Sequence, residues 1–497
     1  MSKEITTELD VTFTTAQAIE NITSGENISL TFGKLSKWFS ALKSVVWSGD
    51  YADLVNKPGL AQNGTVGLLT STSEVTNVSG YDPCPVVNGV PYYKHYESPE
   101  PSPVTGVERY GVKIDKNNSD PYSRVEYMYD AVGFTPAKMV YNSTTPDDSE
   151  FTYGSWANAF FVLNNYPVMC KYDGIEDYKL NTANHALKPD GTASDASDPT
   201  YGGNAMSCFD CKIWIKRWED SNYEYYAVSN IQYDEDYKDY PYIDENGVHA
   251  TKLYYPMFKG SLVDGRLRSI MGTYPQNKTT APQELAYAAA NGENWSMGDW
   301  AHREWLNVLL LLLGKCDDTQ TTYGEGCTSG GSDDSSINYG FPINGSLSTK
   351  GQFFGYAKSA STRNAVKVFY IENWWGTRWD RCLGLWNDMG SIKVAWTPPY
   401  SATASTYCTS TGLTVPSSGW QAQTSNTWGR LPVSVGGSSS KYTCDYFYSN
   451  TSQNNLALVG GYAGDGSACG AWGVALSTAP SYSGWAFGAS PYLKQPS

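Results

Sequence analysis

The chain has 497 residues, a formal net charge of -15 and a sequence pI near 4.8. Phosphate backbones are bound mainly by Lys and Arg, and anionic lipid attracts the same cations, so this charge argues against nucleic-acid or membrane-surface partners. Aromatic residues make up 14% of the chain, with 38 Tyr and 17 Trp, and such residues serve both in strands and at recognition surfaces.

No segment of the sequence is predicted to enter or cross a membrane. The start, "MSKEITTELDVTFTT", lacks the apolar core of a secretion signal. The longest apolar run, Val308 to Leu313, is far shorter than the about 20 residues that a membrane-spanning helix needs. We therefore expect synthesis in a cytoplasm and release by assembly into a particle or by lysis.

Residues 1–22 are polar and are predicted to form an attachment arm, and residues 23–47 are predicted to form a helical neck. In "SGENISLTFGKLSKWFSALKSVVWSG", Ser24 or Asn27 can cap the helix and Gly49 ends it. Its apolar residues alternate at spacings of four and three, as in a coiled-coil seam; they are Ile28, Phe32, Leu35, Phe39, Leu42 and Val46. This pattern is typical of a short self-associating neck, and a helix packed on its own domain would share it.

Residues 48–80 are predicted to be a linker with turn signals such as Lys57-Pro58-Gly59 and Asn63-Gly64. Its first part, "SGDYADL" followed by Lys57-Pro58, resembles the "SGxYxDLxxKP" element of many tailed-bacteriophage fibre proteins, where it usually follows a helical neck. The resemblance implies a fibre protein that attaches through its N-terminus to phage tail or capsid proteins.

From residue 81 onward, short strand-like runs are broken by Gly, Asn, Asp and Pro, which predicts strands in "RYGVKI", "CKIWIKRW", "YEYYAVSNIQY", "AVKVFYIENWW" and "SIKVAW". An amphipathic helix is predicted in "SMGDWAHREWLNVLLLLLGKC", capped by Ser296, with Asp299 in its first turn and Gly314-Lys315 at its end. We assign His302 on this helix to packing or to the surface. A weaker helix is predicted in "APQELAYAAANG", and exposed loops are predicted in "KPDGTASDASDP" and "GEGCTSGGSDDSSINYG".

No metal site is marked out by the sequence. "CFDC", Cys208 and Cys211, has metal-ligand spacing, but a zinc site would need a second pair or nearby histidines, so buried thiols are the simpler interpretation. The acidic stretches "YDEDYKDYPYIDENG" and "DGTASDASD" hold oxygen ligands that suit calcium, but neither has the spacing of an EF-hand loop. We expect solvated loops there and no cofactor, with calcium as the open alternative.

The most specific segment is "KGQFFGYAKSASTRNAVKVFYIENWWGTRWDRCLGLWND", residues 350–388. Its core, "IENWWGTRWDRCLGLW", resembles the "GNVWEW"-type turn of the C-type-lectin-like superfamily, which includes the formylglycine-generating enzymes. It is similar in particular to the lectin-fold C-terminal modules of gut phage and prophage fibre proteins, which continue, as this chain does, to "GRLPVSVGGSSSKYTCDYFY", "NNLALVGGY" and "APSYSGWAFGASPYL". The resemblance implies an α+β, C-type-lectin-like fold with insertions over residues 81–497, with its core at about 338–497.

The resemblance also implies binding without catalysis. Formylglycine-generating enzymes use a pair of cysteines after their "GGS" strand, which bind copper and react with oxygen. The matching stretch here, from Gly460-Gly461, holds Cys469 alone, so this oxidase chemistry is expected to be absent. Cleavage of polysaccharide needs two carboxylates about 5 to 10 Å apart, and the sequence marks out no such pair among its 50 acidic residues.

In many such phage modules the final strands and loops form the ligand face, which in some is diversified by retroelement mutagenesis. The resemblance places these residues on that face: Tyr462, Asp465, Ser467, Trp472, Tyr482, Trp485, Phe487, Ser490 and Tyr492. The glycines of "GGYAGDGSACGAWG" are expected to permit tight turns in a rigid scaffold, and the aromatic rings are expected to anchor the ligand. Filling of the last strands is the alternative for any single ring.

Together these features predict a homotrimeric phage fibre protein of the virion, not an enzyme, that binds a glycan or protein receptor on the bacterial surface. Modest affinity at each site would be multiplied by the number of copies. The alternatives are a capsid head fibre or decoration protein, a polysaccharide-cleaving fibre enzyme, a copper oxidase and a bacterial surface adhesin.

Overall fold

The structure is a computed structural model that describes residues 106–331, 341–358 and 364–494, with Lys34, Lys37, Val86–Val87 and Val90–Pro91. Contacts divide the chain into two units, Met1–Glu100 and Pro101–Ser497. In the first unit Lys34 and Lys37 are helical, and β1 (Val86–Val87) pairs antiparallel with β2 (Val90–Pro91). The predicted arm, linker and neck seam lie outside the described residues; the seam comprises Ile28, Phe32, Leu35, Phe39, Leu42 and Val46.

The protein is mostly β, with 33% of residues in strands and 12% in helices. The described helices of the second unit are α1 (Phe160–Leu163), α2 (Ala281–Ala289), α3 (Trp300–Gly314) and α4 (Thr319–Tyr323). Single 3-10 turns lie at Pro146–Asp148, Tyr240–Tyr242 and Gly466–Ala468. None of the helices in the described part of the chain has the length and apolar character needed to cross a membrane.

The strands of the second unit are short and follow one another along the whole domain. In chain order they are β3 (Arg109–Asp115), β4 (Val125–Tyr129), β5 (Lys138–Val140), β6 (Glu150–Thr152), β7 (Asn165–Lys171), β8 (Glu176–Lys179), β9 (Gly203–Phe209), β10 (Trp214–Glu219), β11 (Tyr223–Ser229), β12 (Leu253–Pro256), β13 (Ser261–Val263), β14 (Arg266–Arg268), β15 (Trp295–Met297), β16 (Lys367–Val368), β17 (Ile371–Glu372), β18 (Trp379–Asp388), β19 (Ser391–Val394), β20 (Thr409–Thr414), β21 (Gly419–Ser425), β22 (Leu431–Val435), β23 (Tyr446–Ser449), β24 (Asn455–Val459), β25 (Val474–Leu476), β26 (Phe487–Gly488) and β27 (Pro491–Leu493).

Within the described residues, the strands form one large sheet, two four-stranded sheets and several two-stranded ribbons. The large sheet has the order β20-β19-β18-β24-β25-β23-β21-β22, with β26 parallel to β18. The four-stranded sheets have the orders β10-β11-β3-β4 and β12-β9-β7-β8, and all their pairings are antiparallel. Ribbon β15-β27 joins the last strand of the domain to the segment before α3.

Helix α3 lies in the centre of the domain, because all of its residues from Trp300 to Gly314 are buried. The prediction of an amphipathic helix is therefore wrong, although the helix itself and its end at Gly314-Lys315 are confirmed. Its polar residues face partners inside the protein, as Arg303 does by donating to the carbonyl oxygens of Trp374 and Ala471. Asp299 caps the helix by accepting from the His302 backbone N–H.

Of two further helix predictions, the structure contradicts the cap at Ser296 and confirms the helix in "APQELAYAAANG". Ser296 does not cap α3, because it lies in strand β15 and pairs with Tyr492. The predicted helix in "APQELAYAAANG" is confirmed as α2, which begins with a capping box between Thr280 and Gln283.

The predicted strands are confirmed in "RYGVKI", "CKIWIKRW", "YEYYAVSNIQY" and "SIKVAW", which contain β3, β10, β11 and β19. "AVKVFYIENWW" forms only the short hairpin β16-β17, because Phe369 and Tyr370 adopt positive φ and turn the chain back on itself. "KPDGTASDASDP" is a largely exposed loop, as predicted. The second predicted loop is wrong at its start, where Gly326, Cys327 and Thr328 are buried, and residues 332–340 lie outside the described residues.

The large sheet has two faces of different character. Phe447 of β23, Val474 of β25 and Val459 of β24 point to one face and pack with Trp300 of α3 in a buried cluster. Since successive residues of a strand point to opposite sides, Tyr448 and its register partner Ala475 point to the other face. This second face carries the site described below.

Candidate functional site

Two groups of contacting aromatic rings lie on the second face of the large sheet and on the neighbouring loops. Their members are all half-buried; they are Trp420, Tyr446 and Tyr448 in one group and Tyr462 and Trp485 in the other. We call these five residues the aromatic strip. The ring centroids of Trp420 and Tyr446 are 5.5 Å apart, those of Tyr446 and Tyr448 are 4.6 Å apart, and those of Tyr462 and Trp485 are 5.3 Å apart.

The sheet positions the first half of the aromatic strip. Tyr446 and Tyr448 are two residues apart on β23 and therefore share a face, and Trp420 on β21 is the register partner of Tyr446. Tyr448 packs edge-on against Trp379, which is buried and whose ring centroid is 5.9 Å away. This contact with a buried ring holds Tyr448, and part of each of the three rings remains exposed.

The loop after β24 positions the second half of the aromatic strip, and Asp465 links the two halves. The Tyr448 hydroxyl donates to Oδ1 of Asp465 at 2.9 Å, and the Tyr462 backbone N–H donates to Oδ2 at 3.2 Å. Burial raises the pKa of Asp465 to about 6, and the hydrogen bonds from Tyr448 and Tyr462 act in the opposite direction. Asp465 is half-buried, and its carboxylate bridges the Tyr448 hydroxyl and the Tyr462 backbone.

Glycines hold this loop in place, as the sequence predicted. Gly461 has φ +83°, and a Cβ built on it would lie 2.5 Å from Sγ of Cys469. A Cβ on Gly470 would lie 2.0 Å from Oδ1 of Asp445, and Oδ2 of the same carboxylate accepts from the Trp472 backbone N–H at 2.7 Å. Larger residues at these two positions would push the loop away from the sheet.

The last loop, before β26, is anchored from below by two buried arginines. Arg381 donates to the Tyr482 carbonyl oxygen at 2.6 Å and forms an ion pair with buried Glu284 at 2.6 Å. Arg378 donates to the Trp485 carbonyl oxygen. Above these bonds, 54% of Tyr482 is exposed. The backbone of this loop is therefore held in place while the Tyr482 side chain faces outward.

The structure places most of the predicted ligand residues together at this surface. Tyr462, Asp465 and Trp485 belong to or adjoin the aromatic strip, and Ser467 is exposed in the same loop as Asp465. Phe487 is half-buried, packs against the same buried cluster as Tyr448 and Tyr462, and contacts Tyr482 with a centroid distance of 5.5 Å.

Three of the predicted ligand residues are buried, so their assignment to an exposed face is wrong. Trp472 is 2% exposed, and the Arg430 guanidinium covers its ring at 5.0 Å. The Ser490 hydroxyl accepts from the Gly260 backbone N–H inside the protein. The ring of Tyr492 packs edge-on against His302 because β27 pairs with β15 beside the central helix.

Sequence reasoning missed Trp420, Tyr446 and Tyr448. A signal was present in "DYFYS", where two tyrosines flank a phenylalanine, as expected for a strand with one face in the core and one outside. Trp420 gave no such signal, since only the pairing of β21 with β23 brings it beside Tyr446.

Three carboxylates of the acidic stretch from Tyr233 to Gly247 are paired with lysines of the protein itself. Nζ of Lys216 lies 3.0 Å from an Asp234 carboxylate oxygen and 2.8 Å from one of Asp236. Buried Asp239 pairs with Lys212 at 2.6 Å. In the part of the chain that the structure describes, no group of three or more His, Cys, Asp or Glu side chains is arranged to hold a metal ion.

Cys208, Cys211 and Cys469 lie in surroundings that favour the protonated thiol. Cys208 is buried and donates to Oε1 of Glu176 at 3.5 Å, and burial raises the pKa of Cys211 to about 12. Cys469 is buried, donates to the Tyr462 carbonyl oxygen at 3.3 Å, and has a pKa raised well above that of a free thiol by burial. Because the thiolate is the reactive form, these thiols are weak nucleophiles at neutral pH.

The aromatic strip and Asp465 offer ring faces, hydroxyls and one carboxylate on a fixed scaffold, a combination suited to recognition by contact. Comparison with known proteins adds no assignment. The chain matches no protein-family model, and no curated protein matches it significantly.

Proposed function

We propose that this chain is a bacteriophage fibre protein that binds a receptor on the bacterial surface through the aromatic strip, without catalysis. The observation that carries the proposal is the strip itself: five half-buried Trp and Tyr rings, in two contacting groups, on one sheet face and the loops beside it. Trp and Tyr are the residue types that most often dominate binding energy at interfaces.

The support beneath the rings favours binding. Ordering of mobile side chains opposes association, so rings that are already fixed bind with a smaller entropic cost. Trp379 below Tyr448, and Arg378 and Arg381 below the last loop, provide this support. A face built in this way accepts a partner with little rearrangement.

The proposal includes the finer features that the sequence predicts. These are a C-type-lectin-like arrangement of about residues 338–497, a homotrimeric neck at residues 23–47, and attachment to a phage tail through the N-terminal arm. The motif resemblances support the lectin-like arrangement and the fibre, and the seam spacing supports the neck. A capsid fibre would carry the same features, and labelled particles viewed by electron microscopy distinguish the two positions.

Cell binding tests the proposal directly. Fluorescently labelled full-length protein is mixed with intact cells of a broad panel of gut bacterial strains, and bound protein is measured by flow cytometry. We expect saturable binding to at least one strain, and we expect Tyr448→Ala and Trp485→Ala to weaken it about 5- to 30-fold, as removal of a 1 to 2 kcal/mol contact does.

Trp218→Ala is the matched control, because Trp218 is also a half-buried tryptophan on a sheet face and stacks on Tyr225 with a centroid distance of 5.0 Å. It should bind like the unmodified protein. Absence of binding across the panel, or equal binding by the strip variants and the unmodified protein, would refute the proposal.

Light scattering after size exclusion tests the neck separately. We expect a mass three times the 54.6 kDa of one chain, and a monomer from Leu35→Asp, which places a charge in the seam. A stable monomer for the unmodified protein would remove the trimer from the proposal and leave the binding face standing.

A further inference from the structure

We infer that the part of the receptor recognised by the aromatic strip is a saccharide, and that the Asp465 carboxylate accepts hydrogen bonds from its hydroxyl groups. The inference rests on the proposed function and adds the chemical class of the ligand and its polar contact. It follows from the position of Asp465, from the exposed rings of the strip, and from its location on the face of the sheet.

Asp465 has acceptor capacity to spare and lies in the middle of the aromatic strip. Among the described residues, Tyr448 donates to one of its oxygens and Tyr462 to the other. A carboxylate has about four acceptor positions, so each oxygen can accept a further hydrogen bond. The side chain is half-buried, and a ligand lying on the neighbouring rings would reach it.

The rings on either side of Asp465 pack against one buried cluster. Tyr448 and Tyr462 both contact the cluster of Trp379, Leu458 and Ala475, and each keeps part of its side chain exposed. The contacting pairs on the two sides of Asp465 have centroid distances between 4.6 and 5.5 Å. A sugar ring has a C–H face that stacks on an aromatic ring and a rim of hydroxyls, so units of a glycan can stack on the exposed parts of these rings.

The position on a sheet face favours a saccharide over an extended peptide. Peptides that bind to sheets usually add a strand at an edge, where backbone N–H and C=O groups are free. β23 is flanked by β21 and β25, so the strip presents side chains and not a strand edge. Ring faces with hydroxyl and carboxylate acceptors are the groups offered here, and they complement a sugar.

The titratable groups around Asp465 make pH a probe of this contact. Tyr448 faces it from β23, Tyr462 faces it from its own loop, and the buried Cys469 thiol lies nearby. Burial raises the pKa of Asp465 to about 6. Above that pH the carboxylate accepts charge-assisted hydrogen bonds, and below it one oxygen becomes a donor. Saccharide binding through Asp465 should therefore weaken as pH falls through about 6.

The experiment uses a bacterial strain that binds the full-length protein. One sample of cells is treated with sodium periodate, which cleaves vicinal diols in glycans, and another with proteinase K. We expect periodate to abolish binding and proteinase K to leave it intact. Loss of binding after proteinase K, with retention after periodate, would overturn the saccharide inference while the proposed function remained.

Variants then test the named contact on untreated cells. Asp465→Asn keeps the shape of the side chain and removes its charge, and we expect at least a 10-fold loss of binding at pH 7.5 and a flat profile between pH 5 and 7.5. Tyr448→Phe keeps the ring and removes one donor to Asp465, and we expect a smaller loss.

Asp220→Asn is the matched control, because Asp220 also accepts from a tyrosine hydroxyl, that of Tyr225 at 2.9 Å, and from a backbone N–H. It should leave binding unchanged at every pH. Melting curves confirm that each variant is folded. A folded Asp465→Asn protein with full binding and an unchanged pH profile would overturn the role of Asp465.

Discussion

Two sheet faces of this protein are rich in aromatic residues, and their neighbours make them different. The first is the aromatic strip. The second is the outer face of the sheet β10-β11-β3-β4, where Trp218 and Tyr225 stack with an interplanar angle of 2° and Tyr223 lies next to Tyr225. We call Trp218, Tyr223 and Tyr225 the outer aromatic face.

The outer aromatic face is covered by the protein's own charges. Lys113 lies over the Tyr223 ring and pairs with Glu126 at 3.0 Å, and Lys216 lies over the Trp218 ring and pairs with Asp234 and Asp236. The rings of the aromatic strip also contact one another, but the charged group beside them is the Asp465 carboxylate, which is bonded to Tyr448 and Tyr462. Aromatic content alone therefore does not mark a binding surface; the charged groups that lie against the rings distinguish the two faces.

The largest effect is expected from the buried ion pair that supports the strip. Arg381→Ala leaves Glu284 buried without its cation and releases the Tyr482 carbonyl oxygen. Loss of one partner of a buried pair costs about 3 to 5 kcal/mol, so the free energy of unfolding in urea should fall by that amount. Lys113→Ala, in the exposed pair of the outer aromatic face, should cost no more than about 1 kcal/mol. Equal losses of unfolding free energy in the two variants would contradict the view that a buried ion pair supports only the aromatic strip.

The next effect concerns the loop that carries Asp465. Gly461→Ala combines a left-handed backbone with a clash against Cys469, and we expect the free energy of unfolding to fall by about 2 to 4 kcal/mol. Gly466→Ala is the control, since its φ is +59° but nothing lies within 4 Å of its Cβ, and it should cost only about 1 to 2 kcal/mol. Receptor binding should fall more for Gly461→Ala than for Gly466→Ala. The reverse order for both quantities would contradict the packing described here.

A smaller effect is expected on the pH dependence of stability. The pKa of Asp465 is raised to about 6 by burial, so the folded state binds a proton that the unfolded state has already lost between about pH 4 and 6. Its contribution to the free energy of unfolding should therefore grow as pH falls through this window, while receptor binding weakens. Asp465→Asn should abolish this rise in the free energy of unfolding as pH falls.

Asp220, which is bonded to Tyr225 of the outer aromatic face, is expected to have the opposite pH dependence to Asp465. Hydrogen bonds from the Asn222 and Tyr223 backbone lower the pKa of Asp220, so its contribution is present above the unfolded pKa and is lost only as pH falls below about 4. Asp220→Asn should leave the profile between pH 4 and 6 unchanged. If Asp220→Asn changed the free energy of unfolding between pH 4 and 6 and Asp465→Asn did not, the assignment of this pH dependence to Asp465 would be wrong.

The smallest effect on stability is expected at the exposed tip of the last loop. Tyr482→Ala removes a ring that is 54% exposed and contacts Phe487, so the free energy of unfolding should change by less than about 1 kcal/mol. Binding should fall if the ligand extends from the strip to this loop. A large loss of stability would show that Tyr482 serves packing.

The sequence predicted those features that depend on local spacing. The strands in "RYGVKI" and "SIKVAW", the helix Trp300–Gly314 and the tight turns at the C-terminal glycines all follow from periodicity and residue type. The helix was nevertheless expected to have a solvent face, because Arg303, Glu304 and Asn307 look polar in sequence. Their partners come from remote segments, such as Ala471 for Asn307, and no local pattern contains them.

The candidate site was predicted only in part for the same reason. Tyr462, Asp465, Trp485 and the loops that hold them were identified from the C-terminal resemblance. Trp472 and Tyr492 look like equally exposed rings among small residues, but pairing of β27 with β15 and contact with Arg430 bury them. Strand pairing, which is not local, also brings Trp420 to the strip.

The most direct test of the central claim is hydroxyl-radical footprinting of the full-length protein, free and bound to envelope fragments of a strain that binds it. Oxidation rates of individual Trp and Tyr residues are read by mass spectrometry. We predict protection of Trp420, Tyr446, Tyr448, Tyr462 and Trp485, with unchanged oxidation of Trp218, Tyr223 and Tyr225. Protection of the outer aromatic face, with the strip as reactive as in the free protein, would contradict the account.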